Sequence, residues 1–426
     1  MALSDEDLKG CFDAKRMAGL IEKFAEIGTD PAGGITRLAF SREDLQAREE
    51  FIRILKSELK LPFRTDALGN IFARREGRHA DWPVIMTGSH LDSVRNGGKF
   101  DGPAGVFSAL ESFRVLDLLG IETKHPFELV MTASEEPNTF GISTFGSRGL
   151  VGSLNRDEVK NLGDDEGRDF GDALAYIGGE LDLIQEAVRR PGEIDYFVEL
   201  HIEQMPFLDR EKHDIGIVEG VTGIYREAIS LIGRARHCGT TPMDARRDAL
   251  CAASKVILAL ESAAREEQGQ AVATVGHIRV FPNSINIIPE RVEMDAEVRS
   301  YHPESINRIV GKLESSLKRN ESERRITVQR RVTYSSPPTH FSSKVTNATQ
   351  QAADALGFKS KRLVSMAGHD AAHLNRITDA GMIFIPCREG LSHCPEEHCD
   401  TEDIIKGAQC LLKTLLILDS ERKGER

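Results

Sequence analysis

The chain has 426 residues, 40% hydrophobic and 29% charged, with 67 acidic against 55 basic side chains and a formal net charge of −12. That length exceeds one hydrophobic core and predicts two domains, and the acidic balance speaks against general attraction to nucleic acid or a membrane while leaving a local pocket free to hold an anion. No stretch reaches the roughly 18–20 apolar residues that span a bilayer, the N-terminal MALSDEDLKGCFDAKRMAGL lacks the pattern of a secretory signal, and the seven scattered cysteines then predict reduced thiols in a cytoplasm.

Four apolar runs end in residues capable of chemistry. WPVIMTGSHLD (82–92) delivers His90 and Asp92, and the glycine-rich stretch after it delivers Asp101. PAGVFSALESFRVLDLLG (103–120), with Pro at its start and Gly at its end, predicts a helix. PFELVMTASEE (126–136) delivers Glu135 and Glu136, DYFVELHIEQ (195–204) delivers His201, Glu203 and Gln204, and GMIFIPCREGLSH (381–393) delivers His393. Strand, helix, strand implies a parallel unit, and ligands of such sheets gather at the carboxyl ends of strands.

Between these runs the pattern changes. REAISLIG, a helix over 244–267, ATVGHIRVF, RVEMDAEVRS, a helix over 303–321 and RITVQRRVTY give the order βαββαβ, a ferredoxin-like signature. The fold class predicted is α/β: a mixed, mainly parallel sheet with helices on both faces, and a ferredoxin-like domain inserted in it. The boundaries are 1–222 and 336–426 for the larger domain and 223–335 for the insert.

His90, Asp101, Glu136, His201 and His393 form a ligand set for two divalent ions, because imidazole and carboxylate together suit Zn²⁺ or Mn²⁺. The two oxygens of Asp101 can bridge two ions, which together can activate one water. Asp92, two residues after His90, can accept the second imidazole N–H. The Glu135-Glu136 pair divides into a ligand and a proton shuttle. HCPEEHC (393–399) offers Cys394, His398 and Cys399 as a different set, but its spacing matches no standard zinc finger.

At these residues the chain resembles the M20 peptidase superfamily, in its hydantoinase/carbamoylase branch. The resemblance rests on GSHLDSVRNGGKFDGPAGV, SEEPNTFGISTFGSR, ELHIEQ, RHCGTTPMDARRDA, NSINIIP, MAGHDAA and GLSHCPEE, in this order along nearly the whole chain. It implies a dinuclear amidohydrolase acting on N-carbamoyl-L-amino acids, ureidoglycolate, allantoate or a related ureido acid, and a homodimer formed through the inserted lid. One ion would take His90, Asp101 and His201, and the other Asp101, Glu136 and His393. The metals would be Zn²⁺ or Mn²⁺, with Co²⁺ or Ni²⁺ also tolerated. The resemblance makes Glu135 the general base, Asp92 the orienting carboxylate and His237 an oxyanion stabiliser reaching the partner subunit's site. Asn286 and Arg299 would hold the substrate carboxylate, and Gln204 and His369 the ureido group. Met205 and Cys238 depart from the family's usual glycine and alanine and bear on substrate rather than reaction. Three other readings stand beside this one: an aminoacylase or dipeptidase, a hydrolase of an unusual amide, and a metal-binding protein without turnover. The intact Glu135 speaks against the last, and His201 against the first.

Overall fold

A computed structural model of the protein describes residues 5–420. The chain divides into two compact units, one reaching to Glu219 and resuming at Phe341, the other Gly220–His340. The division thus falls three residues before and five residues after the boundaries read from the sequence.

In the first unit the strands are β1 (Phe63–Thr65), β2 (Ile71–Arg75), β3 (Val84–His90), β4 (Phe127–Thr132), β5 (Ile194–Ile202) and β6 (Ile215–Val221), which runs just past the division. The second unit contains β7 (Gly223–Ile232), β8 (Ala271–Phe281), β9 (Arg291–Ser300), β10 (Thr327–Ser336) and the two-residue β11 (Thr339–His340). The chain then adds β12 (Ser360–Ser365) and β13 (Asp379–Ile385) to the first. Its large sheet runs β1-β2-β4-β3-β5-β13-β6, with β12 beside β6. The centre, β4-β3-β5-β13, is parallel, and the margins are antiparallel. Every residue of β3, β4 and β5 is buried, as expected of strands covered on both faces. Helices 103–118 and 401–420 pack together over β5, and Phe107, Leu110, Leu411 and Leu415 are fully buried there. Because the four central strands share one direction, their carboxyl ends open on one edge of the sheet.

A buried imidazole ties the last helix to this sheet. His125 Nδ1 lies 2.9 Å from Asp419, whose carboxylate also accepts the backbone N–H groups of Lys124 and His125, and His125 Nε2 lies 3.3 Å from Asp195. Burial disfavours the imidazolium, but the two carboxylates outweigh it and raise the pKa from 6.5 to about 9. A raised folded-state pKa contributes stability that is complete below pH 6.5 and is lost as the pH rises through 9. His125→Gln is therefore expected to cost about 2–3 kcal/mol at pH 6 and clearly less at pH 10, read from urea unfolding at each pH.

The second unit's sheet has the order β10-β7-β9-β8, antiparallel throughout, which is the pairing of a split βαβ. Burial in β9 alternates, and its inward Val292, Met294, Ala296 and Val298 pack with Val256, Leu260, Ile309 and Leu313 of the two helices. The first helix spans Ala249–Glu266, five residues shorter at its start than the sequence pattern suggests. Asp248 stops it by accepting the Cys251 N–H at 2.9 Å, and residues 243–245 form a separate turn. All seven cysteines are free thiols.

Candidate metal centre and active site

Asp101 is held at the meeting point of the strand ends by its own loop. Its backbone N–H and that of Phe100 both donate to one carboxylate oxygen of Glu397, at 3.1 and 2.7 Å. Only glycine at 98 admits that carboxylate, since a Cβ there would stand 2.1 Å from Glu397 Cδ. Gly102 has φ +84°, and a Cβ there would stand 2.6 Å from the His90 ring. The loop is thereby pressed against the imidazole that ends β3.

The two oxygens of Asp101 face two groups of side chains. Oδ1 lies 3.2 Å from His201 Nε2 and 3.5 Å from His90 Nε2. Oδ2 lies 3.4 Å from His393 Nε2, which is itself 3.1 Å from Glu136. Oδ2 also accepts hydrogen bonds from Gln204 Nε2 at 2.6 Å and Ser392 Oγ at 2.7 Å. Gln204 and His393 both adopt left-handed backbone angles, φ +56° and +59°, a conformation that surrounding contacts must enforce on residues other than glycine.

Backbone carbonyls choose the tautomers. His90 Nδ1 is 3.0 Å from the Asp92 carbonyl, and His201 Nδ1 is 3.0 Å from the Ile202 carbonyl. A carbonyl only accepts, so each Nδ1 carries a proton to donate and each Nε2 is turned towards Asp101. This corrects the role read for Asp92. Its carboxylate is 3.7 Å from His90 Nδ1, beyond a good hydrogen bond, and accepts instead from the backbone N–H groups of Glu135 and Glu136, at 3.3 and 3.0 Å. Asp92 orients the two glutamates, and its backbone orients the histidine.

The site's electrostatics favour positive charge. Burial opposes the imidazolium of His90 and of His201, yet the facing carboxylates raise both pKa values. Hydrogen bonds to Asp101 and Glu136 take His393 to about 11. Burial works the other way on Asp101, but His201, His393 and His90 hold its carboxyl well below the ordinary range. Glu135, 3.8 Å from His90 Nε2, is pushed up by burial and by Glu136, against the pull of His90. His369 packs its ring edge-on against His201 at 4.5 Å, meets Ser365 Oγ at 3.0 Å, and is kept neutral by burial and by His201.

These residues fit divalent metal. Two ligand atoms held about 2.0–2.1 Å from one tetrahedral ion stand roughly 3.3 Å apart. The three pairings of Asp101 with imidazoles, at 3.2–3.5 Å, and the His393–Glu136 pairing, at 3.1 Å, match that separation of ligands sharing a cation. His90 Nε2 is buried with no hydrogen-bond partner. Among the described residues, the side chains gathered closely enough to hold an ion are His90, Asp101 and His201, and Asp101, Glu136 and His393. Cys394, His398 and Cys399 form no such group; Cys399 is buried in the core and His398 pairs with Asp400.

Ser392 and Glu397 did not emerge from the sequence as parts of the site, although both lie within GLSHCPEE. Nor did Glu199 and Asp370, buried behind it. Glu199 accepts from Ser89 Oγ and Ala371 N, and Asp370 accepts from Thr132 Oγ1. Their one signal is an acid inside a wholly buried strand or at a helix start.

His237, Asn286 and Arg299 belong to the second unit. The exposed His237 accepts the N–H groups of Gly239 and Thr240 at Nδ1, at 3.1 and 3.2 Å, which leaves its proton on Nε2. The Asn286 carbonyl accepts the Cys238 N–H, so Asn286 and the His237 turn are neighbours. Arg299, on β9, donates from Nε to Glu297 at 2.6 Å.

The family model for peptidase family M20/M25/M40 matches residues 86–417. An amidase of the hydantoinase/carbamoylase family from Burkholderia multivorans superposes with a TM-score of 0.89 at 34% identity, over 96% of this chain and 98% of that one. The chain belongs to peptidase family M20/M25/M40, in its hydantoinase/carbamoylase branch. It is accordingly a hydrolase of C–N bonds. An N-carbamoyl-L-amino-acid amidohydrolase of Paenarthrobacter aurescens is 37% identical, over 91% of this chain and 93% of its own length. A ureidoglycolate hydrolase of Oryza sativa subsp. japonica is 35% identical, over 94% and 83%. Among the described residues no helix is long and apolar enough to cross a membrane.

Proposed function

We propose that this hydrolase cleaves the linear C–N bond of a ureido acid, an N-carbamoyl-L-amino acid or ureidoglycolate, at a site holding two divalent ions. The supporting observation is the division of Asp101, with one oxygen towards His90 and His201 and the other towards His393, which meets Glu136. His90, Asp101 and His201 would hold one ion, and Asp101, Glu136 and His393 the other. When bound, such a pair supplies a water acidic enough to lose its proton at neutral pH and a Lewis acid for the carbonyl.

The chain's own groups carry the remaining chemistry. Glu135 takes the proton of the attacking water and returns it to the leaving nitrogen, so no net proton is consumed. A C–O bond forms and one ureido C–N bond then breaks, leaving a carbamic acid whose remaining C–N bond breaks as carbon dioxide is lost; one water and one carbamoyl acid thereby yield ammonia, carbon dioxide and the free amino acid. Gln204 fixes the ureido group, because its amide nitrogen is committed to Asp101 while its Oε1 is buried without a partner and can accept a ureido N–H. The neutral His369 borders the same group. Asn286 and Arg299 take the substrate carboxylate, Arg299 by the bidentate geometry a guanidinium offers.

His237, with its Nε2–H turned outward, donates to the developing oxyanion in the site of a second copy, so the working unit is a homodimer. A His237→Ala dimer with full activity would remove it from the mechanism.

The test is ammonia release from N-carbamoyl-L- and D-amino acids, N-carbamoyl-β-alanine, ureidoglycolate and allantoate. Release confined to one class names the substrate. Silence on all of them, with turnover of N-acyl amino acids, would replace this reading by an aminoacylase.

A further inference from the structure

The second unit carries a pocket of about 210 Å³ ringed by Arg234, Arg236, Arg246, Arg247 and Arg325. The five come from three segments: the exit of β7, the turn before helix 249–266, and the end of helix 303–324. A backbone bond joins the first two segments, with Arg234 N donating to Arg247 O at 2.9 Å, and Ile288, which also lines the pocket, donates its N–H to Arg236 O at 2.8 Å. Two of the guanidiniums are anchored on carbonyls: Arg246 on Cys238 and Thr241, at 2.6 and 3.2 Å, and Arg325 on Asp244 at 2.6 Å. The convergence of the first two segments is therefore built into the backbone, and the Arg325 guanidinium ties on the third.

None of the five pairs with a carboxylate among the described residues. The nearby Asp248 carboxylate is taken up with the Cys251 N–H. Elsewhere in the same unit, Arg226, Arg299, Arg308 and Arg330 each hold a glutamate at 2.5–2.6 Å. The chain has twelve more acidic than basic side chains, so the want of a partner here is no shortage of acids. Five like charges around one cavity repel one another and are stable together when an anion sits among them. The cavity is smaller than the roughly 300–1,000 Å³ of sites for drug-sized ligands, and guanidinium groups match phosphate oxygens in pairs.

We propose that this pocket binds a doubly charged phosphate group, as inorganic phosphate or as the head of a small phosphate monoester. Arg246 lines the pocket and its guanidinium holds the Cys238 and Thr241 carbonyls of the turn that carries His237, so occupancy also braces that turn.

The experiment is calorimetric titration of the full chain with inorganic phosphate and, separately, with glycerol 3-phosphate. Wild type, Arg236→Gln/Arg247→Gln and Arg299→Gln are compared. Among the described residues the side chains of Arg236 and Arg247 anchor no backbone carbonyl and no carboxylate, so the circular dichroism of the double variant should match wild type. The expected result is one phosphate per chain, weakened at least tenfold in the double variant and unchanged in Arg299→Gln. Tighter binding of glycerol 3-phosphate than of inorganic phosphate would mark a monoester as the occupant, and equal binding the free ion. The proposal is overturned by absence of binding at millimolar phosphate, by affinity retained in the double variant, or by affinity lost in Arg299→Gln. Dissociation of a dimer in the double variant would overturn it too, since acids of a second copy would then fill the pocket.

Discussion

Glu135→Gln is expected to lower the rate of ammonia release about 10³-fold, within the range that positioned acid–base groups contribute, while metal content and fold stay as in wild type. The substitution keeps shape and hydrogen-bonding capacity at a residue that is 8% exposed, and removes only the ability to take and return a proton. A loss of that size corresponds to about 4 kcal/mol of barrier. Because Asp92 holds the Glu135 backbone rather than its side chain, the glutamine should stay in place. Loss of metal together with rate would instead make Glu135 a ligand. A second consequence separates the dimer from the chemistry. If His237 serves the partner's site, exchange of Glu135→Gln chains with His237→Ala chains should restore part of the activity. Each mixed dimer then holds one site with both groups intact.

Asp101→Asn is expected to be the more severe change. At least one of two ions should be lost from purified protein, as counted by elemental analysis, and ammonia release should fall by more than about 10³-fold. The physical reason is that Asp101 is the one side chain common to both groups. An amide has one oxygen to offer where the carboxylate has two, and it brings no charge to balance three imidazoles. Gln204 and Ser392 now donate to Oδ2, so an amide nitrogen on that side would set donor against donor. Full metal content with lost activity would confine Asp101 to positioning.

Most of the residues brought together here are legible in the sequence. His90, Glu135, Glu136 and His201 follow or end runs that are buried along their whole length, and a polar residue at the end of such a run has few structural uses. Their gathering follows from the parallel order of β4, β3, β5 and β13. The grip of Glu397 on residues 100 and 101 was not legible, since it joins positions 297 and 296 apart in the chain. HCPEEHC instead drew attention to its thiols, of which Cys399 lies in the core and Cys394 is half-buried. Asp92 was misread because spacing gives proximity to His90 but not the path of the backbone, whose carbonyl accepts the imidazole N–H. The helix start at 249 was missed because the pattern continues through Ala245 and Asp248, and only the cap decides. The arginine ring has the same cause as Glu397. The pairs at 234 and 236 and at 246 and 247 look like solvated turns until the fold adds Arg325.

The most direct measurement is ammonia release from an N-carbamoyl-L-amino acid by chelator-stripped enzyme titrated with Zn²⁺ or Mn²⁺, with bound metal counted in the same samples. A dinuclear ureido-acid hydrolase predicts negligible release at zero metal and a plateau reached at two ions per chain. Full release from metal-free enzyme, or a plateau at one ion that a second leaves unchanged, would contradict it.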